Sequence, residues 1–234
     1  MKIAEKVYQT SGVMFCTNSN TYCIDTQDGL VLIDSGFSEK QYQIMREQKV
    51  RDGLSGKRVQ DLFVTHCHFD HAGNGWLLQK EGARVCMGEK DADAVSKGGS
   101  AVLEELFGRK FHCYTPELAV RDGQVFRYGD ARLTVLEHPG HTRGTISVLA
   151  EVEGKKILFT GDLFILDPCT PADELQAELG WTGGPDFDGE KNKETFRRLC
   201  DLPPVDIVAP GHGSIYMGDS RELFEMLCRL AEKG

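Results

Sequence analysis

Tryptophan is scarce, with two residues in 234, and no apolar run approaches the ~18–20 residues that a membrane-crossing helix needs. Positive charge is in deficit: 27 Lys and Arg face 36 Asp and Glu, for a formal net charge of −9. That balance argues against a general nucleic-acid binder, which displaces counterions with clustered Lys and Arg. The opening Met1-Lys2-Ile3-Ala4-Glu5-Lys6 contains no apolar stretch of the secretory kind. The chain therefore reads as soluble and cytoplasmic, with neither membrane nor nucleic acid among its partners. The eight cysteines form no CxxC pair and no compact framework, and a chain this long does not need disulfide staples. They read as reduced thiols that pack as small hydrophobes.

What is present is a globular composition, 40% hydrophobic and 27% charged, which rules out wholesale disorder. No repeat, low-complexity tract or linker interrupts it, so residues 1–234 are expected to form one domain. The first third reads as strands over Lys2–Tyr8, Gly12–Cys16, Thr21–Asp25 and Leu30–Ile33. Asp28-Gly29 supplies a hairpin signal, and Leu30-Val31-Leu32-Ile33 is apolar throughout, as in a strand buried on both faces. A Ser-capped helix over Ser38–Lys49 follows, then βα alternation: strand Val59–Thr65, helix Ala72–Glu81, strand Ala83–Met87, helix Glu89–Lys97. Gly98–Glu117 is weakly patterned, with helix at Val102–Phe107. Strands return at Gln124–Tyr128, Arg132–His138, Thr145–Glu151 and Lys156–Thr160. Past Asp162 the chain is poorly periodic to about Gly189, before helix Glu190–Cys200, strand Asp206–Ala209 and helix Asp219–Lys233. Strands dominate both halves and each half closes with βα units. The expected class is α+β: two sheets face to face with helices outside, a four-layer αββα sandwich.

Histidine carries the chemistry. Three of seven fall within six residues, in His66-Cys67-His68-Phe69-Asp70-His71, between a strand and a helix. At strand spacing His66 and His68 point the same way, two imidazoles fixed with little entropy left to lose. Asp70 and His71 lie where the chain turns into the helix and aim elsewhere, toward a second metal or a water. Two catalytic metals need about seven protein ligands. His141 in Pro139-Gly140-His141, Asp162 in Gly161-Asp162 and His212 in Gly211-His212 supply the remainder, each after a strand and beside a glycine that frees room.

This order of motifs, HxHxDH followed by Gly-His, Gly-Asp and a final Gly-His, resembles the metallo-β-lactamase-fold metallohydrolases, from Asp34 to His212. The resemblance implies the αββα fold and a site along one edge of it. It implies two divalent metals, zinc first, with iron or manganese also compatible. His66, His68 and His141 would hold one, Asp70, His71 and His212 the other, and Asp162 would bridge them. Asp34 matches an aspartate that orients a ligand histidine. The chemistry expected is a metal-bridging hydroxide that cleaves a small-molecule thioester, lactone or related ester, with Asp70 orienting the nucleophile or moving a proton. No Ser nucleophile is required, and GxSxG is absent.

Within the family the chain looks like the glyoxalase II and lactonase-like branch. It departs from glyoxalase II at Leu163-Phe164-Ile165-Leu166-Asp167, where a Cys-Gly-Arg stretch is usual, and in ending 22 residues after His212. It departs from the lactonases at Ile165, a tyrosine there, and at Gly213, an aspartate there. The alternatives are a mononuclear iron persulfide dioxygenase and a phosphodiesterase on the same scaffold. Residues 157–190 contain eight acidic residues and no Lys or Arg, which disfavours polyanions near Asp162. Trp181 and Phe187 are candidates for an apolar wall, and Tyr216 for a substrate hydrogen bond or a packed aromatic. His138 reads as structural, His112 as solvated, and Cys67 as core-facing.

Overall fold

The computed structural model describes residues 1–167 and 176–233. Seven strands form the first sheet in chain order: β1 (Lys2–Ala4), β2 (Val7–Ser11), β3 (Thr21–Thr26), β4 (Gly29–Ile33), β5 (Val59–Val64), β6 (Arg84–Gly88) and β7 (Leu118–Val120). The first four are antiparallel neighbours; β4 to β7 run parallel. The second sheet is built from β8 (Val125–Tyr128), β9 (Ala131–Glu137), β10 (Ile146–Val152), β11 (Lys155–Gly161), β14 (Ile207–Pro210) and β15 (Tyr216–Met217). Here β8 to β11 form an antiparallel meander, and β14 joins β11 in parallel. Between them β12 (Phe164–Leu166) pairs with β13 (Ala177–Leu179) as a separate ribbon.

The four layers follow from alternation along each central strand. In β4, Val31 and Ile33 enter the core between the sheets, while Leu30 and Leu32 meet the helices on the other side. That is why four consecutive apolar residues are all buried there. In β11, Ile157 and Phe159 face the central core and Leu158 the outer one. Helices α1 (Glu39–Arg51), α3 (Gly75–Lys80) and α4 (Glu89–Lys97) cover the first sheet, with Tyr42, Met45, Leu78 and Val95 as their buried faces. Helices α6 (Gly189–Cys200) and α7 (Ser220–Lys233) cover the second through Phe196, Leu199, Leu223, Phe224 and Leu227. Short α2 (Phe69–Ala72) and α5 (Glu104–Phe107) complete the helices. Among the described residues no helix is long and apolar enough to cross a membrane.

Four expectations are corrected. Gly12–Cys16 is not a strand: the chain leaves the sheet at Gly12 (φ 140°), and Val13–Phe15 makes one 3₁₀ turn with Val13 and Met14 exposed. The hairpin turn is Gln27-Asp28, since Thr26 pairs with Gly29 and the Thr26 hydroxyl closes the turn by accepting from Asp28 N–H and donating to the Gly29 carbonyl. Within the poorly periodic stretch after Asp162, Phe164–Leu166 and Ala177–Leu179 pair as the β12–β13 ribbon, whose three-residue strands are too short to show a period. Finally, Cys200 and Cys228 are joined in a disulfide, because the packing of α6 on α7 brings two distant cysteines side by side. Cys16, Cys23, Cys67, Cys86 and Cys113 are free thiols, while Cys169 lies outside the described residues, as do Asp173 and Glu174 of the acidic stretch.

Candidate metal centre

Strand direction assembles the site. β4, β5, β9, β11 and β14 all point their C-terminal ends to one edge, and the two sheets are stitched there by Ile146 N–H donating to the Thr65 carbonyl at 2.8 Å. Asp34 follows β4, His66 follows β5, His141 lies past β9, Asp162 follows β11 and His212 follows β14. His68 caps α2, and Asp70 and His71 lie within it.

The seven side chains fall into two groups that could each hold a cation. One is His66, His68 and His141; the other is Asp70, His71, Asp162 and His212. In each group the candidate donor atoms lie within 4.8 Å of one another. Asp162 stands between them. Its Oδ2 is 3.9 Å from His66 Nε2, 3.8 Å from His141 Nε2 and 3.3 Å from His212 Nε2, and its Oδ1 is 3.1 Å from His71 Nε2. All seven are buried except His212, which is partly exposed.

Ring orientation is set from behind. His71 donates from Nδ1 to Asp34 Oδ2 at 2.9 Å, and His66 Nδ1 lies 3.1 Å from the hydroxyl of Thr65, which itself donates to Asp34 Oδ2 at 2.9 Å. One buried carboxylate thus aims a ring in each group, in agreement with the orienting role that the resemblance implied for Asp34. Asp34 does this from a left-handed backbone (φ 61°), a conformation of the kind that collects at functional sites. His141 Nδ1 donates to the Trp181 carbonyl and His212 Nδ1 to that of Asn18, both at 3.1 Å. These four rings therefore present Nε2 to the centre, whereas His68 presents Nδ1, 3.0 Å from His141 Nε2. Asn18 also donates from Nδ2 to Asp70 Oδ2 at 3.0 Å.

Electrostatics divide the rings. Burial and neighbouring imidazoles hold His66 and His141 below the ordinary histidine range, and His68 down to about 3. Burial also works against charge on His71 and His212, but the surrounding aspartates outweigh it. His71 is held well above its usual range by Asp162, Asp70 and Asp34, and His212 rises to about 10 through Asp162 and Asp70. The same imidazoles draw Asp162 and Asp70 below the usual carboxylate range against the effect of burial.

The donor set fits divalent cations. His66 Nε2 is buried without a hydrogen-bond partner, and Asp162 Oδ1 makes no well-directed hydrogen bond despite its nearness to His71. Imidazole nitrogens and carboxylate oxygens suit zinc, iron or manganese alike. Room is kept by glycine: a Cβ on Gly211 would sit 2.2 Å from Asp162 Oδ1 and 2.7 Å from the His71 ring.

Of the weaker candidates, Trp181 is 44% exposed, with its ring edge-on to His68 at 6.2 Å. Phe187 is half-buried, and its backbone N–H donates to the Gly184 carbonyl. Tyr216 uses its hydroxyl on the Asp219 carbonyl and packs against the outer core, so it is the packed aromatic of the two readings. His138 is buried against Ser147, His112 stacks on Trp76 at the surface, and Cys67 is in the core. Sequence reasoning missed Asn18 and Thr65. Thr65 could have been noticed as a hydroxyl directly before His66; Asn18 leaves no local signal.

Residues 14–212 match the family pattern of the metallo-beta-lactamase superfamily. The chain belongs to the metallo-beta-lactamase superfamily. As a member of that superfamily it is 28% identical over 233 residues to the bovine (Bos taurus) acyl-coenzyme A thioesterase MBLAC2, covering 90% of this chain and 76% of the relative. It is 32% identical over 161 residues to the hydroxyacylglutathione hydrolase of Methylobacterium sp. (strain 4-46), covering 68% of this chain and about half (51%) of that relative. The structure of a beta-lactamase from Chitinophaga pinensis superposes with a TM-score of 0.77 at 21% identity, covering 100% of this chain and 92% of the other. That likeness speaks for the superfamily fold.

Proposed function

We propose that this superfamily member is a dinuclear metallohydrolase of small-molecule thioesters. The observation that carries the reading is Asp162, whose two oxygens face both donor groups at once. His66, His68 and His141 would hold one cation, Asp70, His71 and His212 the other, and Asp162 both. Two such cations supply an acidified water and a polarised carbonyl oxygen. The chain's own groups do the rest. Asp70, steadied by Asn18 and 3.1 Å from His212 Nε2, is placed to orient a nucleophile and pass a proton toward the leaving sulfur. Asp34 and Thr65 hold the rings so that no reorganisation is needed at the moment of reaction.

Thioesters are preferred among acyl substrates for two reasons. Relatives named as an acyl-coenzyme A thioesterase and a hydroxyacylglutathione hydrolase align with this chain. The flanks of the site are also apolar: Trp181 stands beside His68, and exposed Val13 and Met14 belong to the loop whose Asn18 touches Asp70 and His212. Lactones and other small esters remain within the same chemistry. We take the chain to act as a single domain.

Metal content of the purified protein together with turnover on acyl-CoA, acyl-glutathione, lactone and phosphodiester substrates tests this. About two metals per chain and preferential thioester cleavage are expected. One iron per chain with oxygen consumption on a persulfide, or turnover confined to the phosphodiester, would overturn it.

A further inference from the structure

Asp91, in the first turn of α4, lies outside every motif that marks the centre, and its carboxylate is 2% exposed. Among the described residues no cation pairs with it. Its two oxygens instead accept three hydrogen bonds: from Cys67 N–H at 2.8 Å, from the Thr142 hydroxyl at 2.6 Å and from Gly144 N–H at 2.7 Å. Cys67 sits between His66 and His68; Thr142 and Gly144 follow His141. Every donor therefore comes from one of the two segments that carry the imidazole group. The packing is close, since a Cβ on Gly144 would lie 2.7 Å from Asp91 Oδ1.

Burying a carboxylate without a counter-ion is unfavourable, so its presence needs a reason. Three converging donors supply one. A carboxylate accepts on both oxygens, whereas an amide offers a single acceptor and would turn its own N–H toward a donor. The other group has separate supports: Asp34 holds His71, and Asn18 holds His212 and Asp70.

We propose that Asp91 is a positioning residue that clamps the His66–His68 segment to the His141 segment and thereby sets the cation affinity of the imidazole group alone. This rests on the reading of the site as a metal centre. Asp91→Asn keeps size and removes one acceptor, and the Ile146–Thr65 hydrogen bond still joins the two sheets nearby. Thr142→Val removes the hydroxyl that donates to Asp91 and that also lies 2.6 Å from Thr145 Oγ1, and Thr142→Ser restores both contacts.

The test is competition of the stripped full chain against a chelator for zinc and for cobalt(II), followed by the cobalt absorption spectrum. Asp91→Asn is expected to retain one tight equivalent and bind the other about 10–100-fold more weakly. Thr142→Val should show a smaller loss at the same equivalent, and Thr142→Ser should match wild type. If Asp91→Asn fails to fold, the Thr142 pair decides. Unchanged affinities, or equal weakening of both equivalents, would overturn the clamp. A wild-type chain that takes up only one equivalent would sink the dinuclear reading, and the variants would still decide the clamp on that one.

Discussion

The two donor groups contain the same residue type in opposite states. In the imidazole group, His66, His68 and His141 face one another in a buried pocket and are held below the usual histidine range. In the mixed group, His71 and His212 face Asp162, Asp70 and Asp34 and are held above the usual histidine range. Burial opposes charge in both, so it does not explain the difference. Whether a carboxylate or another imidazole faces the ring does. Asp162 is the seam: it lies 3.1–3.3 Å from His71 and His212 but 3.8–3.9 Å from His66 and His141.

Asp162→Asn breaks the comparison most severely. Turnover is expected to fall about a thousandfold, with metal lost from both groups, measured by kcat/KM and elemental analysis. His68→Ala and His212→Ala separate the groups: each should release one equivalent and retain the other, with turnover down about a hundredfold. If each variant loses both metals, the groups are one site. Asp34→Asn sharpens the contrast, because its carboxylate aims a ring in each group; chelator competition should show both equivalents weakened by about 10–100-fold. Trp181→Ala, at the rim beside His68, should raise KM about fivefold with kcat nearly unchanged.

The effect most remote from the comparison concerns a histidine outside both groups. Burial pushes His138 down to about 4, so on acidification from pH 6.5 the unfolded chain takes up the proton first. Stability conferred by the neutral ring is complete above pH 6.5 and declines toward pH 4, by at most about 1.4 kcal/mol per pH unit. Denaturant titration of metal-free protein should show a shallower acid limb for His138→Gln than for wild type.

Four of the metal-site candidates were legible from their clustering in His66–His71, and His141, Asp162 and His212 from a repeated context: a strand, a glycine, then the side chain. Gly211 shows why the glycine is needed, since any side chain there would collide with Asp162 and His71. The layers were legible from the all-apolar Leu30–Ile33 and from the strand-rich order. Supports contributed by distant backbone were not. The Asn18 carbonyl reaches His212 across 194 positions and the Trp181 carbonyl reaches His141 across 40, and a carbonyl has no residue signature. The Cys200–Cys228 bond was hidden for the same reason, being fixed by helix packing and not by spacing.

The strand order of the two sheets has a consequence for how the centre comes into being. An antiparallel meander of four strands, a helix and a fifth strand parallel to the fourth occurs as β1–β4, α1, β5 and again, with the β12–β13 ribbon inserted before the helix, as β8–β11, α6, β14. An aspartate ends the fourth strand of each run, Asp34 and Asp162, and a histidine follows the fifth, His66 and His212. Neither run owns a complete donor group: His141 must join His66 and His68, and Asp162 and His212 must join Asp70 and His71. Cut between β7 and β8, the chain would yield two pieces that each carry only part of either group. Metal uptake by the mixed pieces would then report on their reunion.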